Sequence, residues 1–101
     1  MNRIAFKMKL KEGVLDEYKR RHDNIWPELL DLLKKMEIGD YSIFVDTDET
    51  TLFAVQTQGK NFDESELKSH PIMSKWWNYM ADLMEVEDDN SPKAQVLQQV
   101  F

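Results

Sequence analysis

The stretch Tyr41-Ser42-Ile43-Phe44-Val45-Asp46-Thr47-Asp48-Glu49-Thr50-Thr51-Leu52-Phe53-Ala54-Val55-Gln56-Thr57-Gln58 decides the fold. Both ends are rich in β-branched and aromatic residues, and Tyr41, Ile43 and Val45 alternate with Ser42, Phe44 and Asp46, which is the period of a strand. Asp46 to Thr50 are polar turn formers whose short side chains bond nearby backbone amides. The stretch therefore reads as a hairpin whose returning strand is 51–58. Each arm carries apolar residues on both faces: Phe44 against Ile43 and Val45, and Phe53 and Val55 against Leu52. A sheet with one solvated face is polar on that face. The pattern thus asks for helices on one side and a second copy of the sheet, a homodimer, on the other.

Working outward, residues 3–10 alternate, with Ile4, Phe6, Met8 and Leu10 on one face and Arg3, Ala5, Lys7 and Lys9 on the other, a half-buried strand. From Leu15, apolar residues recur at helical spacing through Tyr18, Ile25, Trp26, Leu29, Leu33 and Met36. Pro27 interrupts them: it lacks an amide donor and pushes Trp26 out of the helical region. Two helical pieces, or one kinked helix, are expected to meet near Asn24 to Trp26, with Gly39 and Asp40 ending the helical region. Beyond the hairpin, Asn61 to Ser69 reads as a short helix. Pro71 opens another, with the stripe Ile72, Trp76, Tyr79, Met80, Leu83 and Met84. Lys93 to Phe101 reads as a last strand. Strand, helix, strand, strand, helix, strand is the ferredoxin-like α+β arrangement, βαββαβ, as one domain over residues 1–101.

The chain has 101 residues, 42% hydrophobic and 32% charged, which fits one globular domain and is too short for two. Lys plus Arg number 13 and Asp plus Glu 19, a net charge of −6 that repels phosphate backbones and anionic lipid. Nucleic acid and membrane are accordingly not expected as partners. With no cysteine, disulfides, a thiolate nucleophile and a thiolate zinc site are excluded. The first residues lack the apolar run of a signal peptide, and no segment approaches the ~18 apolar residues of a membrane span; a cytoplasmic location is expected. Gly-rich phosphate loops, nucleophile elbows and paired-histidine metal spacings are absent from the sequence. The chemistry expected is proton transfer in an aromatic pocket, with no cofactor, no metal and no covalent intermediate.

Four positions stand out, the last of them a tryptophan pair. His22 falls within the apolar stripe, four residues after Tyr18, so an imidazole is aimed inward beside a phenol. Histidine titrates near neutrality and can accept and return a proton at pH 7; the plainer reading is a structural histidine satisfied by a backbone carbonyl. His70, just before Pro71, reads as a turn residue. Tyr41 enters the second strand, where a half-buried packing role is the ordinary one. Trp76 and Trp77 are adjacent and point ~100° apart on a helix, so they cannot share one core face. One of them faces a partner or a pocket, where an indole can stack on the C–H face of a sugar and donate its N–H.

Several blocks then carry a resemblance: Glu17-Tyr18-Lys19-Arg20-Arg21-His22, Ile25-Trp26-Pro27-Glu28-Leu29, Tyr41-Ser42-Ile43-Phe44, Trp76-Trp77-Asn78-Tyr79-Met80 and Asp89-Asn90-Ser91-Pro92. Together they resemble the L-rhamnose mutarotases, small dimeric α/β-barrel proteins of ferredoxin-like topology that interconvert the α and β anomers of L-rhamnose. The resemblance runs from Arg3 to Phe101. It implies an isomerase in which His22 is the proton donor and Tyr18, Tyr41, Trp76 and Trp77 bind the sugar. Fold alone would also serve a cofactor-free or haem-processing monooxygenase of the same barrel type, or a non-catalytic sugar-binding module.

Overall fold

The computed structural model describes residues 2–101. Strand β1 (Asn2–Lys9) leads to helices α1 (Leu15–Asp23) and α2 (Pro27–Lys35), and β2 (Ile38–Val45) and β3 (Thr51–Gln58) form the hairpin. Helices α3 (Glu64–Ser69) and α4 (Pro71–Met80) follow, with a 3-10 turn at Ala81–Leu83, before the short β4 (Gln95–Val96). The sheet order is β2-β3-β1-β4, with every neighbouring pair antiparallel. Strands β1 and β2, joined through α1 and α2, thus lie either side of β3, the split connection of ferredoxin-like topology.

Register fixes which side chains face the helices. Met8 pairs with Leu52, Phe6 with Ala54 and Ile4 with Gln56. Because alternate residues share a face, this set packs beneath the helices. Leu10, Leu29 and Leu52 are its most deeply buried members. The other face carries Lys7 opposite Phe53, Ala5 opposite Val55, and Phe44 opposite Phe53. Phe44 is 61% exposed there, so the two-sided apolar pattern of the hairpin is real.

Strand β2 contains the irregularity that matters most for the site. Ile38 is buried, and Ile43 and Val45 lie on that same face, although 38 and 43 differ in parity. One extra residue is needed, and the register shift between Gly39 and Ser42 supplies it: Asp40 and Tyr41 together oppose Gln56. Asp40 takes the left-handed conformation, φ 46°. The bulge turns Tyr41 to the helix side, where its ring meets Phe6 edge-on at 6.4 Å.

Several expectations are corrected. The helical region ends at Lys35 and not at Gly39, because Glu37 (φ 62°) reverses the chain in the left-handed region. Gly39 and Asp40 belong to β2. The helix expected over Asn61–Ser69 starts only at Glu64, where the Asp63 carboxylate accepts from the amides of Ser65 and Glu66. Lys93 to Phe101 is not a full strand. Only Gln95–Val96 forms a strand with β1, extended by one bond from the Leu97 amide to the Ala5 carbonyl; on the Lys93 side, the end of β1 is taken up by Leu10 bridging Met84 and by Glu85 donating to the Lys9 carbonyl. Tyr79, placed by spacing in the core stripe, is 39% exposed and stacks on Trp26 instead. The break at Pro27 is as expected: Trp26 is extended (φ −65°, ψ 133°) and α2 starts at the proline.

Candidate active site

Between the helices and the β2 side of the sheet lies a cavity of about 530 Å³, within the usual range for small-molecule sites. Tyr18, His22, Tyr41, Trp76 and Trp77 all line it, so the fold brings together every candidate residue. The other walls are largely apolar, including Met8, Ile43, Met73 and Met80. Lys19 is the charged residue in the lining, and its ammonium is held by Asp23 at 2.9 Å. His70 lies outside, exposed in the joint between α3 and α4.

Each side chain has a local cause for its place. Tyr18 and His22 are four residues apart on α1 and share a face, with ring centroids 4.4 Å apart. Trp76 is 6% exposed and presents its indole to the edge of His22 at 5.4 Å. Trp77, half-buried, borders the same cavity from the next position on α4. Tyr41 arrives by the bulge.

His22 unites the two readings that spacing allowed. Its Nδ1 lies 3.0 Å from the Tyr18 carbonyl. A carbonyl only accepts, so Nδ1 carries the proton and Nε2 keeps its lone pair in the neutral ring. Burial pushes the imidazole below the ordinary histidine value, more than the Tyr18 hydrogen bond and nearby Asp23 raise it. At neutral pH the ring is therefore a proton acceptor with a fixed tautomer. Burial also pushes the Tyr18 phenol well above the usual tyrosine range, helped by the neighbouring Tyr41. Tyr41 leaves 40% of its surface open, yet its hydroxyl is crowded: desolvation raises its pKa to about 12, against a hydrogen bond from Gln56. Both phenols stay protonated and can donate.

Two supporting residues escaped the sequence reading. Gln56 is 6% exposed and sits opposite the bulge, where it accepts from Gln58 at 3.1 Å and offsets part of the desolvation of the Tyr41 phenol. A glutamine in the buried register of Leu52 and Ala54 was the available signal, since buried polar groups need partners. Trp26 backs Trp76 edge-on at 5.1 Å, and nothing in its spacing separated that role from core packing. Among the described residues, no group of three His, Asp or Glu side chains could hold a metal ion.

The family model for L-rhamnose mutarotase matches residues 3–101. The chain is 56% identical over 99 residues to the L-rhamnose mutarotase of Flavobacterium johnsoniae, covering 98% of this chain and 92% of that one. It is 50% identical over 101 residues to that of Sinorhizobium fredii, covering 100% and 97%. The crystal structure of an L-rhamnose mutarotase from Formosa agariphila superposes with a TM-score of 0.92 at 48% identity, covering 100% of this chain and 97% of that one. Identity at this level across the full chain length shows that the protein belongs to the L-rhamnose mutarotase family.

Proposed function

We propose that the chain interconverts the α and β anomers of L-rhamnose by proton transfer through His22. The observation that carries this reading is one imidazole with a free Nε2 sharing an aromatic cavity with two protonated phenols. Nε2 takes the proton of the anomeric hydroxyl while Tyr18 or Tyr41 protonates the ring oxygen. The bond from the anomeric carbon to the ring oxygen breaks, leaving the open-chain aldehyde. Rotation presents the other face of the carbonyl; the ring hydroxyl attacks it and returns its proton to the phenolate. His22, now cationic, donates to the new anomeric oxygen. Each group gives back what it took, so His22 is acceptor in one half and donor in the other.

Trp76 and Trp77 bind the sugar, stacking against its C–H face and keeping water from the aldehyde. The working unit is a cytoplasmic homodimer joined through the helix-free face, where Phe44, Phe53 and Val55 need cover. Family membership favours this activity over an oxygenase of the same barrel type. Saturation-transfer NMR on the α and β signals of L-rhamnose tests it. Enzyme-dependent exchange is expected; binding without exchange would make the protein a sugar-binding module instead.

A further inference from the structure

We propose that Arg21 is a positioning residue for anomer exchange, clamping the last turn of α1 to the end of α4 so that His22 and Trp76 keep their mutual geometry. This rests on the reading of His22 given above. Arg21 is not part of the cavity wall, but its side chain is only 11% exposed and all three of its guanidinium nitrogens are engaged. Nε donates to Glu17 on the preceding turn at 2.7 Å. Nη1 donates to the Tyr79 carbonyl at 2.7 Å and to Asp82 at 2.9 Å, and Nη2 reaches the second Asp82 oxygen at 3.3 Å. The guanidinium also stacks over the Tyr79 ring, 4.5 Å from its centre.

The place needs such a clamp. Helix α1 has nine residues and stops at Asp23 ahead of the Pro27 break, so His22 stands in its final turn. Short helices gain little from their own hydrogen bonds, and their last turns fray unless tertiary contacts hold them. On the other side, Tyr79 supplies one of the last carbonyls of α4, which lack partners within the helix, three residues beyond Trp76. One planar fork therefore ends both helices at once, and the two rings it aligns belong to the residue after it and to the turn before its acceptor. Lysine offers a single flexible ammonium and cannot reproduce this set of bonds. The titratable and charged groups near His22 are Tyr18, Lys19 and Asp23 on α1 and Tyr41 from β2; α4 presents the Trp76 indole to it.

The test compares Arg21→Ala, Arg21→Lys and Asp82→Asn in the full chain, following exchange kinetics and the NMR titration of the His22 ring. With native circular dichroism, Arg21→Ala should lower kcat about 10- to 100-fold, the scale of a small misplacement of a reacting group, with KM little changed. His22 should titrate closer to the ordinary histidine value as the ring is released toward water, and the acid limb of the pH–rate profile should move up with it. Asp82→Asn, at an exposed carboxylate, should give the same change in smaller measure, and it carries the test if Arg21→Ala does not fold. Arg21→Lys should recover only part of the rate. A folded variant with wild-type kcat and His22 titration would overturn the proposal. So would a loss of activity and melting temperature with His22 titration unchanged, since Arg21 would then be purely structural. The underlying reading fails by a separate result, wild-type exchange in His22→Ala.

Discussion

Truncating His22 to alanine removes the imidazole of the cavity, and anomer exchange should fall about 10²- to 10⁴-fold while circular dichroism stays native. Exchange at the wild-type rate in the folded variant would remove His22 from the mechanism. The pH dependence has a definite sign. Burial lowers the folded-state pKa below the ordinary 6.5, so the neutral ring persists as pH falls through 6.5 and the acid limb of activity should lie below it. In the same window the unfolded chain takes up its proton first, so His22 makes folding less favourable as the solution is acidified. A titration midpoint above 6.5 would contradict the burial seen here. The indoles should differ in kind. Trp76→Ala deletes a 6%-exposed ring and should cost roughly 3 to 5 kcal/mol of stability as well as sugar affinity. Trp77→Ala should lose affinity with a smaller change in melting temperature; tryptophan fluorescence on adding rhamnose and thermal melts separate the two. At this scale Tyr18, His22 and the Trp76–Trp77 pair were legible, because Tyr18 and His22 obey helical spacing and an adjacent Trp pair cannot share one face; Tyr41 entered only through the resemblance. Tyr79 was misread: spacing gives direction but not depth, and its ring lies over Trp26 instead of beneath it.

Whether Tyr41 reaches the cavity is decided by an element, the β2 bulge. Counted from Ile38 by plain alternation, Tyr41 would fall on the helix-free face, and the extra residue of the bulge returns it to the helix side. Asp40→Gly should be well tolerated, since glycine adopts a φ of 46° without strain, whereas Asp40→Val should cost about 1 to 2 kcal/mol because a β-branched residue resists it. Equal melting temperatures for the glycine and valine variants would show that this backbone position is not under the constraint described. The bulge was missed because Gly39 and Asp40 resemble a helix stop, and the parity change between Ile38 and Ile43 shows only once Ile38 is placed in the strand. The α1–α2 break was legible because proline acts locally, through its own ring. Lys93 to Phe101 was overread for the opposite reason: a strand exists only as far as it pairs with a partner, here β1 as far as the Leu97 amide, and local composition does not reveal how far pairing runs.

For the whole molecule, the order of elements and the two-sided hairpin were enough to give the topology, because each followed from local periodicity and short connections. Sedimentation at micromolar concentration should give twice the 12.0 kDa chain mass; a monomer would leave the Phe44 face without cover. Acid should weaken the fold in a defined range. Hydrogen bonds from Arg20 and Arg21 hold Glu17 at about 2 in place of 4.5, and Asp48, Asp82 and Asp89 are lowered as well. Carboxylates depressed in the folded state favour folding above their unfolded values and lose that contribution as pH falls through the folded ones. The melting temperature should therefore drop between pH 4.5 and 2. A flat profile there would mean that these ion pairs and turns do not persist in solution. The bulge in β2 has one more effect, on how copies meet in a crowded solution. Strand β2 is an outer strand, and an outer strand with an unbroken row of amides invites other chains to add to it. The displaced backbone at Gly39–Ser42 and the exposed carboxylate of Asp40 interrupt that row at its middle, so the irregularity that aims a phenol into the pocket also spoils the template on which aggregates would grow.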